Sequence, residues 1–213
     1  MYAKYLKSLF VIIFLLSAIY SNGQKRLDFP ETYVGIQGGA TGSMLNFSPS
    51  VDLTYLLGYS GGLSYRYIGH KVAGLQAELN YSQRGWAESD GLYARQLNYL
   101  ELPFMTHFYF GRNFRFHLNI GPQFSYLISE NVLINNTVNS EAEQHTKPVY
   151  NKFDYGFCGG PGFSFRFNKQ VIMLDIRASY SVSDVSSNAK RDYFDFSNNM
   201  NVKLNLGWQF KLK

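Results

Sequence analysis

Residues 97–128 hold two long runs of alternating polarity that meet at a tight turn. In the first run, Leu100, Leu102, Phe104, Phe108 and Phe110 share one face, with Tyr99, Glu101, His107 and Tyr109 on the other. In the second, Phe114, Phe116, Leu118, Ile120, Phe124, Tyr126 and Ile128 lie opposite Arg115, His117, Asn119, Gln123 and Ser125. Successive side chains of a strand point to opposite faces, so a period of two means strand. Strands of soluble domains usually run about 5–6 residues, and these alternate for well over twice that. A strand needs roughly 9–11 residues to cross the hydrocarbon of a bilayer. So long an apolar face predicts lipid outside and a polar lumen inside.

Parity constrains the pairing. Directly opposed residues of antiparallel strands face the same side, and lumen residues are odd-numbered on both runs, so paired numbers must sum to an even value. A three-residue turn, Gly111-Arg112-Asn113, closing Phe110 on Phe114 meets this condition. It sets His107 opposite His117 and Glu101 opposite Gln123, all lumenal. Pro103 and Pro122 cannot donate to the ladder, and a bulge at either one would shift the pairing beyond it.

The same alternation recurs along the chain. Strands are expected at residues 33–45, 55–67, 72–86, in the two runs above, and at 152–167, 171–182 and 198–212. The connections alternate long and short. Long ones span 46–54, 87–93, 129–151 and 184–197, and short turns lie near Gly69, Arg112 and Lys169. An even strand number with alternating short turns and long loops is the pattern of outer-membrane barrels. Closure also removes sheet edges, which lipid does not tolerate. The expected fold is all-β: an eight-stranded antiparallel up-and-down transmembrane β-barrel. Residues 102, 104, 116, 118, 174, 176, 204 and 206 should face lipid.

Residues 1–23 are expected to be a signal peptide and residues 24–213 the barrel domain. Lys4 and Lys7 form a basic start, Leu9 to Leu16 an apolar stretch too short to span, and Ser21-Asn22-Gly23 a cleavage signal. The 213-residue chain carries 20 basic and 15 acidic residues, a formal +5. Removing Lys4 and Lys7 leaves 18 against 15, near +3, too mild to argue for nucleic acid. One cysteine excludes an internal disulfide framework.

The lumen face gathers Glu78, Arg84, Glu101, His107, Arg115, His117, Asp154, Arg166, Asp175, Arg177 and Lys203. Eight strands leave an interior just wide enough for side chains, and a buried charge has to be paired or hydrogen-bonded. A structural, salt-bridged filling is therefore the expectation, ahead of a conduit or a binding site. Glycines agree: closing Phe167 on Gln170 sets Asp175 opposite Gly162 and Arg177 opposite Gly160. Glu78 and Glu101 read as counter-ions of Arg84, Arg115 or their neighbours rather than as an acid–base pair. His107 and His117 lack a third ligand, a weak metal signal. His70 and His145 sit in connections with no constellation around them. No nucleophile elbow, zinc-protease motif or phosphate loop is present. No catalytic residue, metal or cofactor is expected, and the chain is not expected to be an enzyme.

Several stretches resemble a known family. They are V-G-I-Q-G-G from Val34, L-Q-A-E-L-N-Y-S-Q-R-G from Leu75, Y-L-E-L-P-F from Tyr99, F-D-Y-G-F-C-G-G-P-G-F from Phe153, and the aromatic final strand. They are similar to the small "porin family" outer-membrane barrels of Gram-negative bacteria, the group that includes PorT-like proteins. The resemblance implies an eight-stranded barrel in the cell outer membrane with four extracellular loops. Contact with outer-membrane lipid, and with envelope or secretion-system proteins through the loops, is expected, and the barrel is expected to be a monomer. Two readings stand beside the structural or interaction role. One is an accessory barrel of a secretion system. The other is a soluble, lipocalin-like barrel holding an apolar ligand, which would put the apolar face inward.

Overall fold

Aromatic and β-branched residues at every second position favour extended backbone, and here they build a closed wall. A computed structural model describes residues 30–136, 143–146, 149–186 and 194–212. Among these, nine strands follow in order: β1 (Glu31–Ser48), β2 (Leu53–Thr54), β3 (Leu56–Ile68), β4 (Ala73–Glu88), β5 (Tyr93–Gly111), β6 (Phe114–Asn135), β7 (Phe153–Phe167), β8 (Gln170–Asp184) and β9 (Phe196–Lys211). A single helical turn, α1 (Glu143–Thr146), lies between β6 and β7. The two residues of β2 pair with Ala87 and Glu88 of β4 and extend the line of β3. The other eight strands pair in sequence, and β1 closes on β9, with Tyr33 opposite Lys211. The start of β1 and the end of β9 therefore lie together at the end of the barrel that carries the short turns. This is the turn end of the barrel, and the opposite end is the loop end. The expected signal peptide lies outside the described residues.

The faces fall as the alternation requires. Leu102, Phe104, Phe116, Leu118, Leu174, Ile176, Leu204 and Leu206 are all exposed on the outer wall. Glu101, His107, His117 and Gln209 are wholly buried on the inner one. The ligand-binding soluble barrel is thereby overturned, because it needs the apolar face inside. Aromatic rings ring the wall near both ends. Trp208 with Phe210 and Phe165 with Phe167 mark the turn end, and Tyr59 with Tyr81 and Phe124 with Phe153 the loop end. Such girdles sit at the two interfaces of a membrane.

The register of the β5–β6 hairpin differs from the sequence-based one. Gly111 pairs with Arg115 and Phe110 with Phe116, so pair sums are 226 rather than 224. Gly111 belongs to the ladder, not to the turn. Its φ is +106°, and a Cβ there would come within 2.2 Å of the Phe114 carbonyl oxygen, so only glycine fits. As a result His107 faces Asn119, His117 faces Tyr109, and Glu101 faces Ser125. The prolines do not shift the pairing, since Pro103–Gln123 and Thr106–Ile120 keep the same sum. The irregularities come instead at Ala94/Arg95 and Asn98/Tyr99. The β7–β8 register is as expected, with Phe167 on Gln170 and Asp175 on Gly162.

Two connections also differ. The loop expected at 87–93 is reduced to residues 89–92, no longer than the 69–72 turn, because both flanking strands run on past the wall's aromatic level. The connection expected at 129–151 begins only after Asn135, since β6 continues for 22 residues.

Candidate functional site

The lumen is the only place where the chain concentrates buried charge among the described residues, and it is layered from the turn end upward. At the turn end, odd-numbered residues of β1 and β6 and the last residues of β7 and β9 converge on Glu31. Its carboxylate accepts from Arg115 Nη2 at 3.2 Å, Arg166 Nη1 at 2.5 Å, Lys211 Nζ at 3.1 Å and the Tyr33 hydroxyl at 2.9 Å. Arg115 also lies over the Tyr109 ring, 4.7 Å from its centroid.

The middle layer is built on Glu78 of β4. Arg177 of β8 grips it with two bonds, Nη1 to Oε2 at 2.7 Å and Nη2 to Oε1 at 3.0 Å. Gln37, Gln76 and Asn80 donate to the same carboxylate. Arg177 reaches Asp175 at 3.3 Å, and Asp175 accepts from Asn205. Room for this pair comes from glycine. A Cβ on Gly160 would sit 2.9 Å from the Arg177 Cα, and one on Gly162 would meet His117 Nε2 at 2.4 Å. Arg66 lies at this level, fully buried, donating through Nε to Gln76 and lying against Met173 Sδ, with no ion-pair partner among the described residues.

Nearer the loop end, Arg84 of β4 reaches Glu101 at 2.6 Å, Asp154 at 2.7 Å and Ser125 at 3.0 Å. Lys203 closes on the other oxygen of Glu101. Ser181 and Ser183 donate to Asp154 at 2.8 and 2.6 Å. The bidentate and multiply bonded geometry is what a buried ion pair requires to offset its desolvation.

His107 and His117 do come together, diagonally rather than in register. Their rings are 5.2 Å apart, and His107 Nδ1 bonds Asn119 Oδ1 at 2.7 Å. Among the described residues no cluster of three or more His, Cys, Asp or Glu side chains is placed to hold a metal ion. Cys158 is buried and free.

The sequence-based set thus falls inside the wall, with Arg166 alone half-open at the turn end. Arg115 is not the partner of either glutamate in that set; its carboxylate is Glu31. Glu31, Arg66 and Lys211 were missed. Glu31 and Lys211 share lumen parity with Tyr33 and Gln209, but lay outside or at the margin of the expected strands. Arg66 shares its strand face with Ser60, Gly62 and Ser64, and no acidic residue of that strand marks it as a lumen charge.

A second omission is the loop end itself. There the lumen is not polar: Leu45, Phe47, Trp86, Tyr93, Leu97, Tyr99, Leu127, Val185 and Phe194 form a buried apolar cluster. At the bulge opposite Asn98/Tyr99, where Ile128 is the extra residue of β6, Asn98 and Tyr99 are both buried. His145 does have a constellation: it stacks on Tyr93 with ring centroids 3.8 Å apart and bonds Glu88 at 2.6 Å. Gln144 and His145 are thereby fastened to Glu88 and Tyr93 at the loop end.

A closed ring of eight strands with its apolar side outward is the geometry of a membrane-spanning barrel, and family comparison agrees. The family described as "Outer membrane protein beta-barrel domain" matches residues 23–187. The chain belongs to that family. It is an outer-membrane β-barrel protein, and it crosses the bilayer with strands; among the described residues no helix is long and apolar enough to do so. Solved structures are similar to the chain at low identity. Neisserial surface protein A is 12% identical over 84% of this chain and 96% of its own, with a TM-score of 0.50. The attachment invasion locus protein Ail of Yersinia pestis is 15% identical over 84% and 99%, with a TM-score of 0.44. Outer Membrane Protein W of E. coli is 15% identical over 87% and 100%, with a TM-score of 0.45. No curated protein sequence matches the chain significantly.

Proposed function

We propose that this protein is a sealed barrel that serves the outer membrane through its loop end, in a structural or partner-binding role, and neither conducts solutes nor catalyses a reaction. The observation that carries this is the burial of the lumen lining. Arg66, Glu78, Arg84, Glu101, His107 and His117, on three neighbouring strands and on β6, are all 2% exposed or less. The lining of a water-filled conduit would be wetted along its length. The layers around Glu31, Glu78 and Arg84 fill the section with paired side chains, and the apolar cluster covers them at the loop end. Residues 1–23 act as a removed export signal, both ends of the mature chain face the periplasm, and the loop end faces outward. The barrel works as a monomer whose surroundings are lipid. Its resemblance to PorT-like barrels adds an accessory part in a secretion system as the narrower form of this role.

The test is conductance of the purified barrel in planar bilayers. The expected result is no discrete channel steps, with steps appearing only when the Glu78–Arg177 layer is removed by a double change to Ala. Regular steps from the unaltered protein would overturn the sealed reading.

A further inference from the structure

The two ends of the barrel carry opposite charge. Each short turn presents one exposed cation and no carboxylate: Lys71 between β3 and β4, Arg112 between β5 and β6, and Lys169 between β7 and β8. These turns are two strands apart around the ring. On β9, Lys211 stands beside Lys169, whose carbonyl accepts from the Lys211 N–H at 2.6 Å. The sole described carboxylate at this end, Glu31, is already shared by Arg115, Arg166 and Lys211, so the barrel mouth is itself left positive. At the loop end the described side chains reverse the balance. Asp52, Glu88, Asp90, Glu130, Asp184 and Asp195 stand there against Arg95 and Lys152.

The turn cations also stand at a telling height. Arg112 follows Phe110 by two residues, and Lys169 follows Phe167 by two, and both rings are exposed on the outer wall. A strand rising ~3.4 Å per residue and tilted ~45° climbs ~2.4 Å per residue along the membrane normal. The two cations are therefore about 5 Å beyond the aromatic level. The polar layer of a bilayer is about 5–7 Å deep on each side. That is the depth of the headgroup phosphates, and long basic side chains lay their stems on apolar surface while the charged head reaches polar surroundings.

The spread of the cations selects the occupant. A soluble acidic protein docks on one patch. Here the cations are distributed from turn to turn around the circumference, which is the shape of the lipid annulus. A zwitterionic headgroup carries its own ammonium beside the phosphate, so such a ring favours headgroups of net negative charge.

We infer that the turn end is a collar for anionic phospholipids, with Lys71, Arg112, Lys169 and Lys211 holding the phosphates of the surrounding leaflet. This goes beyond the sealed-barrel reading. A barrel can conduct and still select its lipid, so conductance and lipid preference fail separately.

The reporter is Trp208, 44% exposed on the outer wall and hydrogen-bonded through its indole N–H to Gln170, next to Lys169. A Trp86→Phe barrel leaves it as the single indole. The barrel is refolded into bilayers of phosphatidylcholine and phosphatidylglycerol in equal parts, in which one lipid or the other carries brominated acyl chains. The ratio of the two quenching curves gives the relative affinity at the turn end. Phosphatidylglycerol should be preferred at least about threefold, and the preference should fade in high salt. Lys169→Glu should bring the ratio close to one, while Lys152→Glu at the loop end should leave it unchanged. Excess soluble glycerol phosphate should not compete. A ratio of one for the unaltered barrel would overturn the inference and assign the cations to a soluble acidic partner or to solvent. A preference that survives Lys169→Glu, an equal loss with Lys152→Glu, or competition by glycerol phosphate would overturn it too.

Discussion

The middle of the lumen and its loop end are built on opposite rules. Around Glu78 and Arg177 the interior is charged and hydrogen-bonded, and the outer wall is leucine and phenylalanine. At the loop end the interior is Trp86, Leu97, Phe47 and Tyr99, as in a soluble protein. The difference follows the solvent outside. Where lipid surrounds the wall, burying apolar side chains inside gains nothing, because the outside is already apolar, and the polar groups must be paired within. Where the wall rises out of the bilayer, water surrounds it and the hydrophobic effect again drives apolar groups inward. The bulges opposite Ala94/Arg95 and Asn98/Tyr99 lie at this changeover, and their extra residues, Leu133 and Ile128, belong to β6.

The comparison can be broken at either region. The largest effect is expected in the middle. Arg177→Met leaves Glu78 buried without its bidentate partner and should cost roughly 3–5 kcal/mol. Urea unfolding in lipid vesicles measures it, and adding Glu78→Gln to the same barrel should recover a good part of the loss. A loss below about 1 kcal/mol, the level of an exposed pair, would mean that the ion-pair layers do not support the fold. At the loop end, Leu97→Ala opens a cavity in an apolar cluster. A cost of about 2 kcal/mol is expected, the low end for a buried leucine because the surrounding loops can settle. If Leu97→Ala were neutral while Arg177→Met was severe, the loop-end cluster would not be a core. The smallest effect belongs to the rim. Glu130 is 40% exposed in its pair with Arg95, and Glu130→Gln should change stability by less than about 1 kcal/mol.

Much of the wall could be read from the sequence, because period-two alternation is a direct consequence of strand geometry and recurs in all eight wall strands, which are 13 to 22 residues long. The β7–β8 register was legible too, since a two-residue turn fixed the parity and glycine faced the bulky charges. The β5–β6 register was not. It depended on whether Gly111 stood inside or outside the ladder, a choice set by one φ angle. Side-chain partners were the least legible part. Parity says that Glu78, Arg177 and Asp175 share the lumen, but which reach one another depends on strand tilt and shear. Glu78 and Arg177 lie 99 positions apart. The apolar loop end was missed because one rule, polar inside, was carried past the height at which lipid gives way to water. Trp86 and Leu97 were on the lumen face by parity all along.

The wall is inverted through the membrane and reverts above it. The chain has two tryptophans, one for each half of that statement. Trp208 is 44% exposed on the outer wall at the turn end, and Trp86 is 2% exposed inside the loop end. Barrels carrying Trp86→Phe or Trp208→Phe, refolded into vesicles whose acyl chains are brominated, report each indole separately. Trp208 should be quenched strongly and Trp86 almost not at all. Quenching of Trp86 with Trp208 spared would contradict it.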